Sequence, residues 1–202
     1  FAIVGTYDTF VTGRNAYYLE MAAKADLVGI HFGSARPKVA PPGGIGPRLG
    51  TNPIAFGVPS SRGPVIFDMG TAAIMGSDLM LRARLNQLLP DGVAIDAAGS
   101  PTRDPKEAEK GSILNFGGYK GFGLSFCVQV FGLLAGAASH DKKYYGFLII
   151  LFDPNLLLSV EAYKQEVANL VEFVKTTPRQ PGVEEIRIPS ERAFRERAQR
   201  LE

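Results

Sequence analysis

A chain of 202 residues, 46% hydrophobic and 21% charged, is long enough for a substantial core and has the composition of an ordinary globular protein, which excludes a largely disordered one. Its 22 basic and 20 acidic residues leave a net charge of +2, too weak a field to imply a nucleic-acid partner. A single cysteine, Cys127, excludes an intramolecular disulfide; beside Phe126, Val128 and Val130 it reads as a small buried hydrophobe.

In chain order, residues 1–4 read as a strand that opens at Phe1 without a basic leader or a starting methionine, as suits a cytoplasmic protein. Residues 6–14 read as a polar loop. Residues 15–25 read as a helix capped by Asn15, with Tyr18, Met21, Ala22 and Ala25 on one face. A strand over 27–32 is followed by a Pro/Gly segment, 36–53, with little regular structure. Strands over 54–58 and 64–68 flank the turn Ser60-Ser61-Arg62-Gly63, and Ser77 caps a short helix over 78–86 with Asp78 in its first turn. A brief strand over 93–95 precedes a polar loop, 96–111.

The uncharged run 121–138 has the minimum length of a membrane span. Ser125, Gln129 and its glycines interrupt it and no basic cluster flanks it, so a buried core helix is the favoured reading and no membrane is expected. Residues 145–152 form a continuous apolar run of strand length, covered on both faces. Ser159 caps the clearest amphipathic helix, with Val160, Tyr163, Val167, Leu170, Val171 and Val174 on one side and Pro178 beyond its end. Residues 183–188 alternate as a strand, and Ser190 caps a last helix. There Arg192, Arg195, Arg197 and Arg200 interleave with Glu191, Glu196 and Glu202 as a solvated face. Alternating strands and helices make an α/β protein, a mixed sheet with packed helices. The chain starts inside a strand and stops inside a helix, so residues 1–202 read as one body truncated at both ends.

Common nucleotide fingerprints are missing: there is no Gly-x-x-x-x-Gly-Lys-Ser/Thr and no Gly-x-Gly-x-x-Gly, although Gly44-Ile45-Gly46 with Gly50 comes near. The two histidines, His31 in a strand and His140 in a polar loop, are too far apart in sequence to suggest a metal pair. What stands out is Gly117-Gly118-Tyr119-Lys120-Gly121 at the mouth of the apolar run. Glycine costs a helix roughly 1 kcal/mol relative to alanine, so this cluster suggests close backbone approach, and the lysine suggests an anion. A loop ending in a solvated lysine is the plainer reading.

Four other segments accompany it. They are Gly50-Thr51-Asn52-Pro53-Ile54-Ala55-Phe56-Gly57, Pro64-Val65-Ile66-Phe67-Asp68-Met69-Gly70-Thr71, Pro101-Thr102-Arg103-Asp104-Pro105 and Ile188-Pro189-Ser190-Glu191-Arg192. In order and spacing the five together resemble the type-2 malate/L-lactate dehydrogenase family, which includes ureidoglycolate and sulfolactate dehydrogenases and cyclic-imine reductases. The resemblance covers nearly the whole chain. It implies a non-Rossmann α/β fold, usually dimeric, that uses NAD or NADP to interconvert a small 2-hydroxy acid and a 2-keto acid.

Carried over by position, the resemblance assigns the cofactor to Asp68, Met69, Gly70, Thr71, Tyr119, Lys120, Pro189, Ser190 and Glu191. The threonine hydroxyl and strand-end amides would meet ribose or phosphate, Lys120 a phosphate or ribose, and the helix start at Pro189-Ser190-Glu191 an anion. Family members commonly have Pro-Gly-Glu at that last position, so Ser190 departs from the pattern and can equally be a plain cap. A strand-end turn residue is the lesser alternative for Asp68, whereas Asn52 reads first as the centre of an Asx-turn that shapes its loop. The family's catalytic histidine on an N-terminal helix would precede Phe1. Its Ser-Asn-His-Phe-Gly segment is replaced by Tyr7-Asp8-Thr9-Phe10-Val11-Thr12-Gly13-Arg14, without histidine, and His31 reads as structural. Asp8 is therefore the candidate general acid/base and Arg14 the candidate carboxylate clamp, unless both are surface loop residues. The alternative function is a non-catalytic relative that binds cofactor or a partner without turnover.

Overall fold

The structure is a computed structural model that describes residues 1–9, 12–137 and 145–201; His140, with Phe10 and Val11, lies outside the described residues. A central five-stranded sheet comprises β1 (Ala2–Thr9), β2 (Val28–Gly33), β3 (Ile54–Val58), β4 (Val65–Met69) and the last strand, β7 (Tyr145–Phe152), in the order β1-β7-β2-β3-β4. A two-stranded sheet joins β5 (Ala94–Ile95) to β6 (Ser112–Ile113). The helices are α1 (Asn15–Lys24), α2 (Gly76–Leu85), α3 (Pro105–Lys110), α4 (Tyr119–Leu134), α5 (Val160–Lys175) and α6 (Glu191–Leu201). The expected α/β fold of a sheet with packed helices is present. The paired strands all run antiparallel, with a parallel bridge between Val39 and Ile113.

The apolar run of β7 is explained by its position between β1 and β2 with a helix on each face. Side chains alternate across a strand. Ile149 and Leu151 pack with Ala16, Leu19 and Ala23 of α1, whereas Leu148 and Ile150 pack with Val128 and Ala135 on the α4 side. A third cluster, Val39, Leu49, Ile74, Leu79, Leu89, Val93 and Ile113, gathers α2, the small sheet and the Pro/Gly segment around a core of their own.

Several expectations are corrected. The polar loop expected after residue 6 is strand as far as Thr9, with an irregular register between Thr6 and Thr9 where Asp8 has φ 53°. Asn15 does not cap α1. It lies inside the first turn, buried, and Arg14 is the capping position. Met21 is exposed, because the buried stripe of α1 runs through Ala16, Leu19, Ala22 and Ala23. Helix α3 occupies part of the expected 96–111 loop. Its signal was present, since Asp104 accepts from Lys106 N at 2.8 Å and Pro105 takes the first helical position. Helix α2 is capped at Met75, two residues before Ser77.

Helix α4 starts at Tyr119 and contains Gly121 and Gly123. Its buried stripe is Gly121, Ser125, Val128 and Gly132, so helical periodicity turns Cys127 outward, exposed rather than buried. Residues 183–188 do not form a strand; they pair with no sheet edge, and Glu185 takes Arg195 of α6 instead, at 2.7 and 2.9 Å. Nor is α6 a wholly solvated face. Phe194 packs on the α1 core, and Arg197 makes a bidentate pair, 2.8 and 2.9 Å, with the buried Glu20. Among the described residues no helix is long and apolar enough to cross a membrane.

Candidate functional site

The segment Gly50-Thr51-Asn52-Pro53 is the mechanical centre of the site. Asn52 is fully buried with φ 32°, and its side chain braces two distant elements. Its Nδ2 donates to the carbonyl of Ser125 (3.0 Å) and to Gln129 Oε1 (3.1 Å) on α4, while its Oδ1 accepts from Ala35 N (3.2 Å). These partners are far away in sequence, so the Asx-turn reading of Asn52 is wrong. Thr71 closes the same seam: its amide donates to Thr51 O at 2.8 Å, and its buried hydroxyl lies 3.1 Å from the carbonyls of both Thr51 and Asn52. The Thr71 hydroxyl is thereby committed to positioning Thr51.

Beside this seam is a cavity of about 420 Å³. Thr9, Thr12 and Gly13 approach from the end of β1, Ser34, Arg36 and Lys38 from the exit of β2, and Thr51 and Pro53 from the seam; Met75, Gly76, Ser77 and Met80 come from the start of α2, and Tyr145 from the start of β7. Ser34 is used structurally, exchanging hydrogen bonds with the backbone of Gly146 at 2.9 and 3.0 Å. Arg36 Nε donates to Tyr145 Oη at 3.1 Å, which fixes the plane of the guanidinium. None of these cavity residues was singled out in the sequence as a site residue, because each comes from a different segment and no local spacing links them.

Of the expected catalytic pair, neither side chain lines the cavity. Asp8 is exposed on β1 next to Thr9, and Arg14 is exposed at the start of α1. Asp68 caps α1 from a distance, accepting from Ala16 N at 2.8 Å. Partial burial raises its pKa, opposed by that hydrogen bond and by the charge of Arg14. Asp68 and Arg14 are therefore neighbours, at the end of β4 that leads into Thr71, the partner of the cavity residue Thr51. Gly70 packs against Met75 of the cavity wall: a Cβ there would fall 2.6 Å from Met75 Sδ.

The Gly-Gly-Tyr-Lys-Gly loop is adjacent to the 68–71 segment, since Phe116 N donates to Thr71 O at 3.2 Å and Ala72 bridges Asn115. Gly118 caps α4 with φ 61°, a conformation that glycine adopts without strain. Gly121 is needed for close packing on its own chain, because a Cβ there would sit 2.0 Å from Phe116 O. Tyr119 and Lys120 are both exposed at this helix start. Gly117 and Gly118 also rim a cavity of about 360 Å³ with Ala40, Pro42, Ala73 and Leu114.

Pro189, Ser190 and Glu191 are not gathered with these groups. Pro189 and Glu191 line a third cavity, of about 310 Å³, with Ser60, Arg62, Pro64 and Val65 at the opposite end of β4. Glu191 accepts from Ile188 N (3.0 Å) and pairs with Lys175 (2.5 Å), and Arg62 pairs with Glu172 at 2.6 Å. Ser190 has φ 67° and no side-chain hydrogen bond among the described residues, so it holds a glycine-like backbone and is not a hydroxyl cap.

His31 sits at the bottom of the sheet face. It is fully buried, stacked on Phe147 at 4.9 Å and on Tyr18 at 5.7 Å, and neither ring nitrogen has a hydrogen-bond partner among the described residues. Burial holds its pKa down to about 4, so it is a neutral aromatic filler. Among the described residues no group of three or more His, Cys, Asp or Glu could hold a metal ion.

Against known proteins, the family model described as malate/L-lactate dehydrogenase matches residues 1–202. A malate/(S)-sulfolactate dehydrogenase of Methanothermus fervidus is 40% identical over 186 residues, covering 87% of this chain and 55% of that protein. A Delta(1)-pyrroline-2-carboxylate reductase of Pseudomonas fluorescens is 37% identical over 206 residues, covering 93% and 59%. The solved sulfolactate dehydrogenase of Methanocaldococcus jannaschii superposes with a TM-score of 0.88 at 32% identity, over 98% of this chain and 60% of that one. The chain thus spans a little over half the length of the relatives it matches.

Proposed function

The chain belongs to the malate/L-lactate dehydrogenase family, and on that premise we propose that it is the cofactor-binding body of an NAD(P)-dependent oxidoreductase that interconverts a small 2-hydroxy acid and the corresponding 2-keto acid. The observation that carries this reading is the family match along all of residues 1–202, within which the segments 50–57, 64–71 and 117–121 meet at one seam.

The residues fit a nicotinamide dinucleotide. Gly117 and Gly118 have open space where a Cβ would be, so their backbone is free to approach a phosphate, and Lys120 stands exposed at the same helix start. Asp68, Met69 and Gly70 would line the cofactor from the strand end, with Thr71 holding Thr51 in place. Tyr119 would cover the loop side, and Pro189, Ser190 and Glu191 a more distant part of the cofactor. The cofactor, when bound, supplies or accepts the hydride at the carbonyl carbon. The acid would occupy the hydroxyl-lined cavity beside Thr51. The same reading includes a cytoplasmic homodimer, for which the outward Phe126, Val130, Leu133 and Leu134 of α4 offer an apolar surface.

Fluorescence titration of the full-length protein with NADH and NADPH tests the proposal and distinguishes the two cofactors. Saturable binding of at least one, weakened about tenfold in Lys120→Ala, is expected. Failure of both to bind would overturn it.

A further inference from the structure

We infer that Asn115 is the residue that recognises an amino group of the bound dinucleotide, from the wall of the cavity of about 360 Å³ beside the Gly117-Gly118 loop. This rests on the dehydrogenase reading for the cofactor and goes beyond it in naming the residue that reads one of the cofactor's rings.

The backbone around Asn115 is pinned. Leu114 O accepts from Ala73 N at 2.8 Å, Asn115 itself bridges Ala72, and Phe116 N donates to Thr71 O at 3.2 Å. Asn115 is 9% exposed, and its Nδ2 donates to Ala40 O at 3.1 Å. That bond fixes which end of the amide is which, so the atom left over is the acceptor, Oδ1. Oδ1 is buried and has no hydrogen-bond partner among the described residues. A buried acceptor without a donor is unfavourable, and a ligand that brings a donor removes that cost. Thr6, Asn15, His31 and Arg82 also have buried polar atoms without hydrogen-bond partners, but none of them lines any of the three cavities described above.

The chemistry of this cavity favours a neutral ring over a phosphate. Ala40, Pro42, Ala73, Leu114 and Phe116 give it apolar walls, and no charged side chain lines it among the described residues. Within a nicotinamide dinucleotide two rings bear an amino group that can donate to Oδ1: adenine, and nicotinamide through its carboxamide. Contact requires the wall to open slightly, and the loop after Asn115 has the room. A Cβ built at Gly117 or Gly118 would meet nothing within 4 Å. The same two glycines lead into the start of α4, where Lys120 stands exposed, so ring and phosphate would be read by adjoining residues.

The test is calorimetric titration of the full-length protein with NADH or NADPH, whichever binds more tightly, and with two reduced analogues of that cofactor. One carries hypoxanthine in place of adenine, which puts a carbonyl oxygen where the amino group was. The other carries 3-acetylpyridine in place of nicotinamide, which replaces the amino group by a methyl. One analogue should bind at least about tenfold more weakly than the parent cofactor, and which one it is identifies the ring. In Asn115→Ala the parent should fall to within about threefold of that analogue, whose own affinity should stay the same. Equal affinity of the wild type for all three, a comparison that requires no variant to fold, would overturn the inference, as would discrimination that persists in Asn115→Ala. Loss of NADH and NADPH binding altogether removes the dehydrogenase reading and this inference with it, whereas intact binding without discrimination removes the inference alone.

Discussion

The cavities at the two ends of β4 contain the same number of basic side chains and differ in what faces them. At the α2 end, Arg36 and Lys38 share their cavity with hydroxyls, backbone amides and no carboxylate among the described residues. At the α6 end, Arg62 and Lys175 are neutralised by Glu172 and Glu191, and the result is a tie between α5, α6 and the β3–β4 turn. Counting cations would have ranked the two alike. The printed ion pairs make the α6 end a latch between neighbouring elements, while the α2 end presents hydroxyls and backbone amides. The two regions are also built differently: the first rests on a buried polar brace centred on Asn52, the second on one exposed ion pair, Arg62–Glu172, and one half-buried pair, Lys175–Glu191.

The largest effect should come from cutting that brace. Asn52→Ala leaves the Ser125 carbonyl, Gln129 and Ala35 N without their partner inside the protein. Leaving buried polar groups unsatisfied costs roughly 1–3 kcal/mol each, so a loss of about 3 kcal/mol in urea unfolding is expected, together with loss of cofactor binding. A variant as stable as the wild type would show that the seam is not held there.

Acid should separate the regions next. His31 has a folded pKa of about 4 against an ordinary 6.5, so the unfolded chain takes up its proton first. Stability should fall as pH drops from about 6.5 and reach its full loss below about 4, by up to roughly 3 kcal/mol. His31→Phe should flatten this window; an unchanged pH profile would contradict the burial argument. Glu20 acts in a lower window. The hydrogen-bonded Arg197 holds its pKa near 2, against burial, so its stabilisation is present above about 4.5 and is lost as pH falls towards 2. Glu20→Gln should cost about 1–2 kcal/mol at neutral pH, a figure reduced because Arg197 is half exposed, and should loosen α6 in hydrogen exchange.

The smallest effect should come from the latch. Arg62 and Glu172 are both well exposed, and Arg62→Gln should change stability by less than about 1 kcal/mol in urea unfolding. A change as large as that from Asn52→Ala would erase the distinction between the two regions.

How much of this was legible in the sequence follows the range of the forces involved. β3, β7 and α5 agree with expectation within a residue because their signals are local, namely an unbroken apolar run in β7 and the Ser159 cap of α5, whose Oγ accepts from Ala162 N at 3.3 Å. The fold family was legible through ordered motifs, and the same motifs are what propose Lys120 and Asp68 for the cofactor. The meaning of Asn52, Thr71 and Asp68 was not, because their partners lie between 17 and 77 residues away in sequence. Nothing local joined Arg36, Lys38, Thr51 and Ser77 to one another, since only the fold brings their separate segments to one cavity. Cys127 shows the opposite error, where apolar neighbours suggested burial and helical periodicity decided otherwise.

A crystal structure of the full-length protein with its nicotinamide cofactor and tartronate, a dianionic 2-hydroxy acid, tests the central assignment most directly. The expected result is cofactor density along residues 68–71 and 117–121, and tartronate in the cavity beside Thr51. Tartronate bound at Arg62 and Lys175, or an empty cavity beside Thr51 with cofactor present, would contradict it.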